Sequence, residues 1–311
     1  MDTYSTSDLQ FTPANPFGLP HPPARAGRAL VLGGGGAAGN AWLIGVLAGL
    51  ADAGLDVTGA DLTVGTSAGA TAAAQLAGAD ATRLFSELLA APPPSTRARP
   101  DGTGPGTDHL RRLTEVIASS ADAADLRRRM GEMALEVTAA SDITDRWRAA
   151  VEARFSAREW PDRRVLLTAV DARTGEPVVF DGNSGVGLVD AVAASTAGGG
   201  FAYRIGEHFY IDGGYRRSSE NADLAAGSER VLVLSPLGGR VLTPVEWGTP
   251  LATQLEELRA GGSRVETILP DGASLAAFGD NMTALSARIP AARAGYEQGR
   301  AAAGRIGEFW Q

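Results

Sequence analysis

The chain has no cysteine and no lysine: all 28 of its basic residues are arginine. Without cysteine there is no disulfide framework, no thiolate zinc site and no thiol nucleophile. Without lysine, Schiff-base chemistry and the lysine of a phosphate-binding P-loop are both excluded. Histidine is scarce, with only His21, His109 and His208 present. A metal site or a Ser-His-Asp triad must therefore draw on those three or dispense with histidine. No uninterrupted apolar run is long enough to cross a bilayer. The opening stretch MDTYSTSDLQFTPANPFGLPHPPARAG lacks the basic start and apolar core of a secretory signal, so a cytoplasmic protein is expected. The net charge of −8 argues against nucleic acid as a partner.

What is present is the composition of a folded globular chain: 311 residues, 44% apolar and 21% charged, enough to bury a substantial core. Residues 1–27 read as an extended, proline-rich arm. From residue 28 the pattern is regular. ALVL (29–32) is a buried strand ending in glycines, and AWLIGVLAGLADAG (41–54) is a helix apolar nearly all round, stopped at Gly54. DLTV (61–64) and AGATAAAQLAG (68–78) repeat the strand–glycine–helix unit, which argues for βαβ connections and a parallel sheet. APPPSTRARPDGTGPG (91–106) is a surface loop. Residues 108–154 are helical and arginine-rich, with Leu110, Leu113, Val116 and Ile117 as apolar positions. Their arginines read as a solvated helix face. Further strands are expected at 164–171, 176–181, 208–212, 230–236 and 264–270, and a last helix at about 280–302. The sum is one α/β domain over 28–305: a mostly parallel central sheet flanked by helices, with a helical cap insertion at about 91–160.

Three stretches can carry chemistry. In VLGGGGAAGNAW (31–42) glycines follow a strand and open a helix, leaving backbone N–H groups at the positive end of a helix dipole, an anion site. Gly34, Gly36 and Gly39 also fit the dinucleotide fingerprint, with Asp52 and Asp56 near the position of its ribose-binding acid. A nucleotide-binding module is thus one reading. In VGTSAGA (64–70), Ser67 stands between Gly65 and Gly69 where a strand gives way to a helix, the setting of a G-x-S-x-G nucleophile. The same serine could equally cap the helix that follows. In YIDGGYRR (210–217), Asp212 closes a strand before Gly213 and Gly214. It can point into a cleft or belong to an ordinary Asp-Gly turn. His208 shares a strand face with Asp212 but lies roughly 13 Å along it, which makes it a solvated hairpin histidine rather than a triad member.

Taken in order at three strand ends, Gly34–Gly36, Gly65–Gly69 and Asp212–Gly214 resemble the signature of the patatin-like lipid acyl hydrolases. DAVAASTA (190–197) resembles the helix preceding the aspartate strand in that family. The resemblance implies a Ser67–Asp212 dyad working without histidine and an oxyanion hole from the N–H groups of Gly34, Gly35 and Gly36. Gly65, Gly69, Gly213 and Gly214 would supply the supporting turns. It implies hydrolysis of fatty-acyl ester bonds of lipids, with an acyltransferase of the same fold as the related alternative. No metal or cofactor is implied, and transient contact with a membrane surface is expected of an enzyme whose substrates are lipids. Physical need adds one expectation: Asp212 must sit in a dry pocket that raises its pKa, since a carboxylate titrating near 4 is a weak base. Two departures stand out. Ala38 occupies a position that is usually basic in the family, and Gly198-Gly199-Gly200 replaces a usual proline.

Overall fold

The computed structural model describes residues 27–92, 105–139 and 142–311, with backbone alone for 105–110. The expected N-terminal arm and most of the expected loop at 91–106 lie outside the described residues. The first half of the chain runs β1 (Arg28–Leu32), α1 (Gly36–Asp52), β2 (Leu62–Gly65), α2 (Ala68–Gly78), α3 (Ala81–Ala90), α4 (Pro105–Ser119), α5 (Ala123–Ala139) and α6 (Ile143–Glu152). It continues through β3 (Arg164–Asp171), β4 (Pro177–Phe180), α7 (Leu188–Ser195), β5 (Tyr203–Ile205) and β6 (His208–Asp212). The last elements are β7 (Arg230–Leu234), α8 (Leu251–Ala260), β8 (Arg264–Ile268), α9 (Gly272–Phe278) and α10 (Arg288–Trp310).

The strands form one sheet in the order β5-β6-β3-β2-β1-β7-β8, with β4 added antiparallel to β3. The pairs among β3, β2, β1, β7 and β8 are parallel, while β6 runs antiparallel to β3 and β5 antiparallel to β6. Alternation along the central strands sets the layers. Leu30 and Leu32 of β1 and Leu232 and Leu234 of β7 point to one face, where α1, α2, α7 and α10 cover them. Ala29, Val31, Val231 and Val233 point to the other face, under α8 and the 3₁₀ turn 222–225. Both faces are thus buried, as a parallel sheet requires.

Helix α1 is apolar all round because it is covered twice, by the sheet and by α10. The two helices touch backbone to backbone. A Cβ at Gly45 would overlap the Ala292 carbonyl, one at Gly49 the Tyr296 carbonyl, and one at Gly299 the Val46 carbonyl. Gly49→Ala is accordingly expected to destabilise the fold by about 3 kcal/mol, the upper part of the range for overpacking. A lowered urea midpoint with an unchanged circular dichroism spectrum in the absence of denaturant checks this. Helix α1 starts at Gly36, five residues before the apolar run that signals it, and α10 ends at Trp310, whose ring is buried with Phe309.

The insertion divides by its packing. In α4 and α5, Leu113, Val116, Ile117, Leu126 and Met130 pack over Val170 and Ile211 at the end of the sheet that carries the site. In α6, Ile143, Trp147 and Val151 turn back to the main core, and the Trp147 indole N–H donates to the Ala193 carbonyl at 3.1 Å.

Candidate active site

Three consecutive features of the sheet bring the site together. The carboxyl ends of β1 and β2 are level, with Leu32 opposite Gly65. The glycine turn after β1 and Ser67 after β2 therefore emerge side by side. Gly65 is opposite Leu167 of β3, and Ala169, two residues further along β3, is opposite Asp212 of β6. Because β6 runs the other way, its final residue stops at the level of Ser67. Register alone delivers the serine and the aspartate to one crevice at the carboxyl edge of the sheet, where open α/β sheets bind ligands.

Ser67 has φ 51° and ψ −110°, one of two described non-glycine residues with positive φ. An L side chain rarely adopts this conformation, and such strain persists only where the surroundings enforce it. The enforcement is visible. A Cβ at Gly69 would overlap the Leu32 carbonyl, so only glycine lets α2 start this close to β1. The Ser67 N–H donates to Ser195 Oγ at 3.0 Å, which ties the turn to the end of α7. The Ser67 side chain makes no capping hydrogen bond to α2, so the helix-cap reading of this serine does not hold.

Asp212 is 9% exposed. One oxygen, Oδ1, accepts the Gly214 N–H at 2.8 Å, so the Asp-Gly turn is present as well as the cleft-facing carboxylate. Burial raises its pKa to about 6, against smaller opposing effects of the Gly214 N–H and the Ser67 hydroxyl, both of which hydrogen-bond the anion. The aspartate thus meets the requirement set out from its sequence: a dry carboxylate made more basic. Tyr215 lines the same pocket, and burial, reinforced by the Asp212 charge, holds its phenol well above the ordinary range.

The glycine turn departs from expectation at one position. The Gly34 N–H is committed to the Ser219 carbonyl at 2.7 Å and cannot also receive an oxyanion. The physical reason is the loop after β6, which runs against the turn and uses that donor to hold it. Among the described residues the N–H groups of Gly35, Gly36 and Ala68 have no acceptor. Gly35 lines the pocket. Ala68 follows the serine on the first turn of α2, a donor position of nucleophile elbows that spacing around Ser67 could have indicated. The buried Ala38 N–H, at the departure from the usual basic residue, donates to the Met282 carbonyl at 2.9 Å.

A buried polar web behind the site has no signature in the motifs. Asn221, the second residue with positive φ, donates from Nδ2 to Thr66 Oγ1 at 3.0 Å, to Thr168 Oγ1 at 3.3 Å and to the Gly213 carbonyl at 2.9 Å. It links β2, β3 and the turn after Asp212. Its Oδ1 accepts from Arg216 Nη1, and that fully buried arginine also makes a bidentate pair with Asp223 at 3.0 and 2.9 Å. Glu220, also fully buried, accepts from the hydroxyls of Ser218, Ser219 and Ser235 at 2.6–2.7 Å, and so anchors the residue whose carbonyl holds Gly34.

The remaining candidates lie elsewhere. His208 is exposed on the β5–β6 hairpin, with Nδ1 3.8 Å from Asp171. It does not line the pocket, and His21 and the side chain of His109 lie outside the described residues. Asp52 accepts from the Tyr296 hydroxyl at 3.0 Å and Asp56 caps Thr58, so neither acid of the dinucleotide reading faces the glycine turn. No described helix is long and apolar enough to cross a membrane.

By fold, this is an α/β protein whose mostly parallel sheet presents a glycine turn, a serine and an aspartate at one edge. The chain belongs to the patatin-like phospholipase family, whose model matches residues 30–226. The family is one of lipid acyl hydrolases, enzymes acting on lipid esters. A similar solved structure is VipD from Legionella pneumophila, with 14% identity over 91% of this chain and 67% of that chain and a TM-score of 0.41. A comparison with curated proteins gave no match.

Proposed function

We propose that this chain is a serine acyl hydrolase of the esterase or phospholipase A type, with Ser67 as nucleophile and Asp212 as its base. The observation that carries the reading is the strained Ser67 turn facing a buried carboxylate whose pKa burial has raised to about 6. Near neutral pH the carboxylate is ionised and can accept the Ser67 proton as Oγ attacks the acyl carbonyl. The carbonyl electron pair moves to oxygen, and the N–H groups of Gly35, Gly36 and Ala68 are the donors available for that charge. Loss of one such donor costs roughly 3 kcal/mol in comparable hydrolases. Collapse expels the alcohol, which takes the proton from Asp212, and leaves an acyl ester on Ser67. Water then repeats the sequence: it gives its proton to Asp212, attacks the acyl carbonyl and releases the acid, and Ser67 recovers the proton. The buried setting of Asp212 and the hydrogen bond it accepts from the Ser67 hydroxyl support a two-residue mechanism.

A fluorophosphonate probe tests the reading. Folded protein should be labelled at Ser67, located by peptide mass spectrometry, and labelling should vanish after heat denaturation. A folded protein that hydrolyses no ester and takes up no probe would overturn it.

A further inference from the structure

Strand register sets the height of Ser67 and Asp212 along the sheet but not the gap between them. Strand β3 lies between β2 and β6. Neighbouring strands stand about 4.8 Å apart, so the ends of β2 and β6 are roughly 10 Å from each other. The serine and the aspartate meet only if they are drawn together across β3. One side chain spans that gap. Asn221 Nδ2 donates to the hydroxyl of Thr66, the residue before Ser67, at 3.0 Å. It donates to the carbonyl of Gly213, the residue after Asp212, at 2.9 Å. Between them it reaches Thr168 Oγ1 of β3 at 3.3 Å, and the two threonine hydroxyls are themselves 3.0 Å apart. Gly213 lies so close on β3 that a Cβ there would overlap the Thr168 hydroxyl and carbonyl oxygens. Hydrogen-bond chemistry fixes which way the amide faces. The Gly213 carbonyl can only accept, and the Arg216 guanidinium on Oδ1 can only donate. Asn221, Thr66 and Thr168 are fully buried, so water does not compete for these bonds.

We propose that Asn221 is a positioning residue for the Ser67–Asp212 pair: its amide clamps the nucleophile turn and the base turn at the separation that lets the serine hydroxyl meet the carboxylate. The inference rests on the hydrolase reading of the site and adds a third residue to it. Asn221 does not line the cavity, so it acts on the two reacting side chains and not on substrate. Its loss should therefore lower kcat and leave KM nearly unchanged. An asparagine that only filled a buried polar niche would cost stability and leave the turnover of folded protein intact. The backbone offers a clean way to remove the amide. Asn221 has φ 51° and ψ 42°, a conformation in which glycine is at ease, so Asn221→Gly deletes the clamp without straining the chain.

The test compares the parent, Asn221→Gly and Gly49→Ala, the last loosening the core away from the site. With a p-nitrophenyl ester, Asn221→Gly should lose about 100-fold in kcat, the effect of misplacing a reacting group by about 1 Å, with KM within about twofold of the parent's. Gly49→Ala should keep the parent's kcat despite its lower urea midpoint. If Asn221→Gly does not fold, Thr66→Val takes its place. It deletes one arm of the clamp, a single hydrogen bond, and should cost about tenfold in kcat. Crystal structures of the parent and the clamp variant supply a readout that needs no turnover. Ser67 Oγ and the Asp212 carboxylate should be in hydrogen-bond contact in the parent and apart in the variant. A parent that hydrolyses no ester sinks the hydrolase reading, and the crystal pair still decides whether Asn221 sets the separation. An active parent whose clamp variant keeps its kcat, or keeps the contact, overturns the role of Asn221 and leaves the hydrolase standing. An equal loss of kcat in Gly49→Ala also overturns it, since general loosening would then account for the effect.

Discussion

Ser67→Ala should lower ester turnover by a factor of about 10⁴ or more while lowering the stability of the fold by no more than one hydrogen bond to a charged group, about 1.5–3 kcal/mol. The loss is large because nucleophile and base act as a unit, and removal of either leaves only binding and oxyanion stabilisation. The stability cost is limited to the hydrogen bond with Asp212, because alanine suffers the same positive φ as serine and the Ser67 hydroxyl caps nothing in α2. Ser67→Gly distinguishes strain from chemistry. Glycine is at ease at φ 51° and ψ −110°, so relief of about 1–3 kcal/mol should outweigh the roughly 0.4–1 kcal/mol by which glycine loosens the unfolded chain. The glycine variant should therefore unfold at a higher denaturant concentration than the alanine variant, by about 1 kcal/mol, and be equally inactive. Measured kcat/KM and urea midpoints for the three proteins check both halves. An alanine variant that kept a tenth of the parent's turnover would remove Ser67 from the chemistry. A glycine variant less stable than the alanine variant would mean that the turn is not strained.

Much of this arrangement could be read from local sequence, for a physical reason. A strand that ends in glycine and opens a helix is a short-range pattern, so β1, β2 and α2 lie within a residue or two of their expected bounds, and β3 and β6 match theirs. Ser67 and Asp212 fall at such strand ends, and the register of the sheet then brings them together. Elements without that punctuation were not legible. Helix α3 has apolar residues at helical spacing, Leu84, Phe85, Leu88 and Leu89, and a cap in which the Asp80 carboxylate accepts the Arg83 N–H at 2.8 Å, but no glycine-ended strand leads into it. Strand β5 is three residues long, too short to display a period. The groups that hold the site were the least legible of all. Ser195 meets Ser67 across 128 residues of sequence and Asn221 meets Thr66 across 155. Nothing beside a serine or an asparagine announces such a partner, because the contact exists only once the sheet has formed. The Gly34 N–H illustrates the same limit: its place in the motif says donor, but the Ser219 carbonyl that takes it belongs to a loop far along the chain.

Asp212→Asn should abolish turnover and, near pH 8, make the protein more stable. The sign follows from the direction of the shift. The folded-state pKa, about 6, lies above the ordinary 3.8, so the native protein binds this proton more tightly than the unfolded chain does. The stability that goes with it is fully present below pH 3.8 and is lost as the pH rises through about 6. Above that, the charged carboxylate is a cost to the fold of about 3 kcal/mol. Asparagine keeps the Oδ1 acceptor for the Gly214 N–H, stays neutral at every pH and can donate to Ser67 Oγ. It should recover about 1–3 kcal/mol at pH 8 and almost nothing at pH 4. The parent's kcat/KM should climb with an apparent pKa near 6, since only the ionised aspartate can accept the serine proton. Urea melts of both proteins at pH 4 and pH 8, beside the parent's pH–rate profile, read all of this at once. If the asparagine variant were less stable at pH 8, the carboxylate would be a structural partner whose charge the fold relies on. If the rate inflected near pH 4, the pocket would be wetter than its burial indicates. The coupling has a physical logic, because the burial that makes the anion costly to the native state also makes the Asp212 carboxylate more basic, as the proposed role requires.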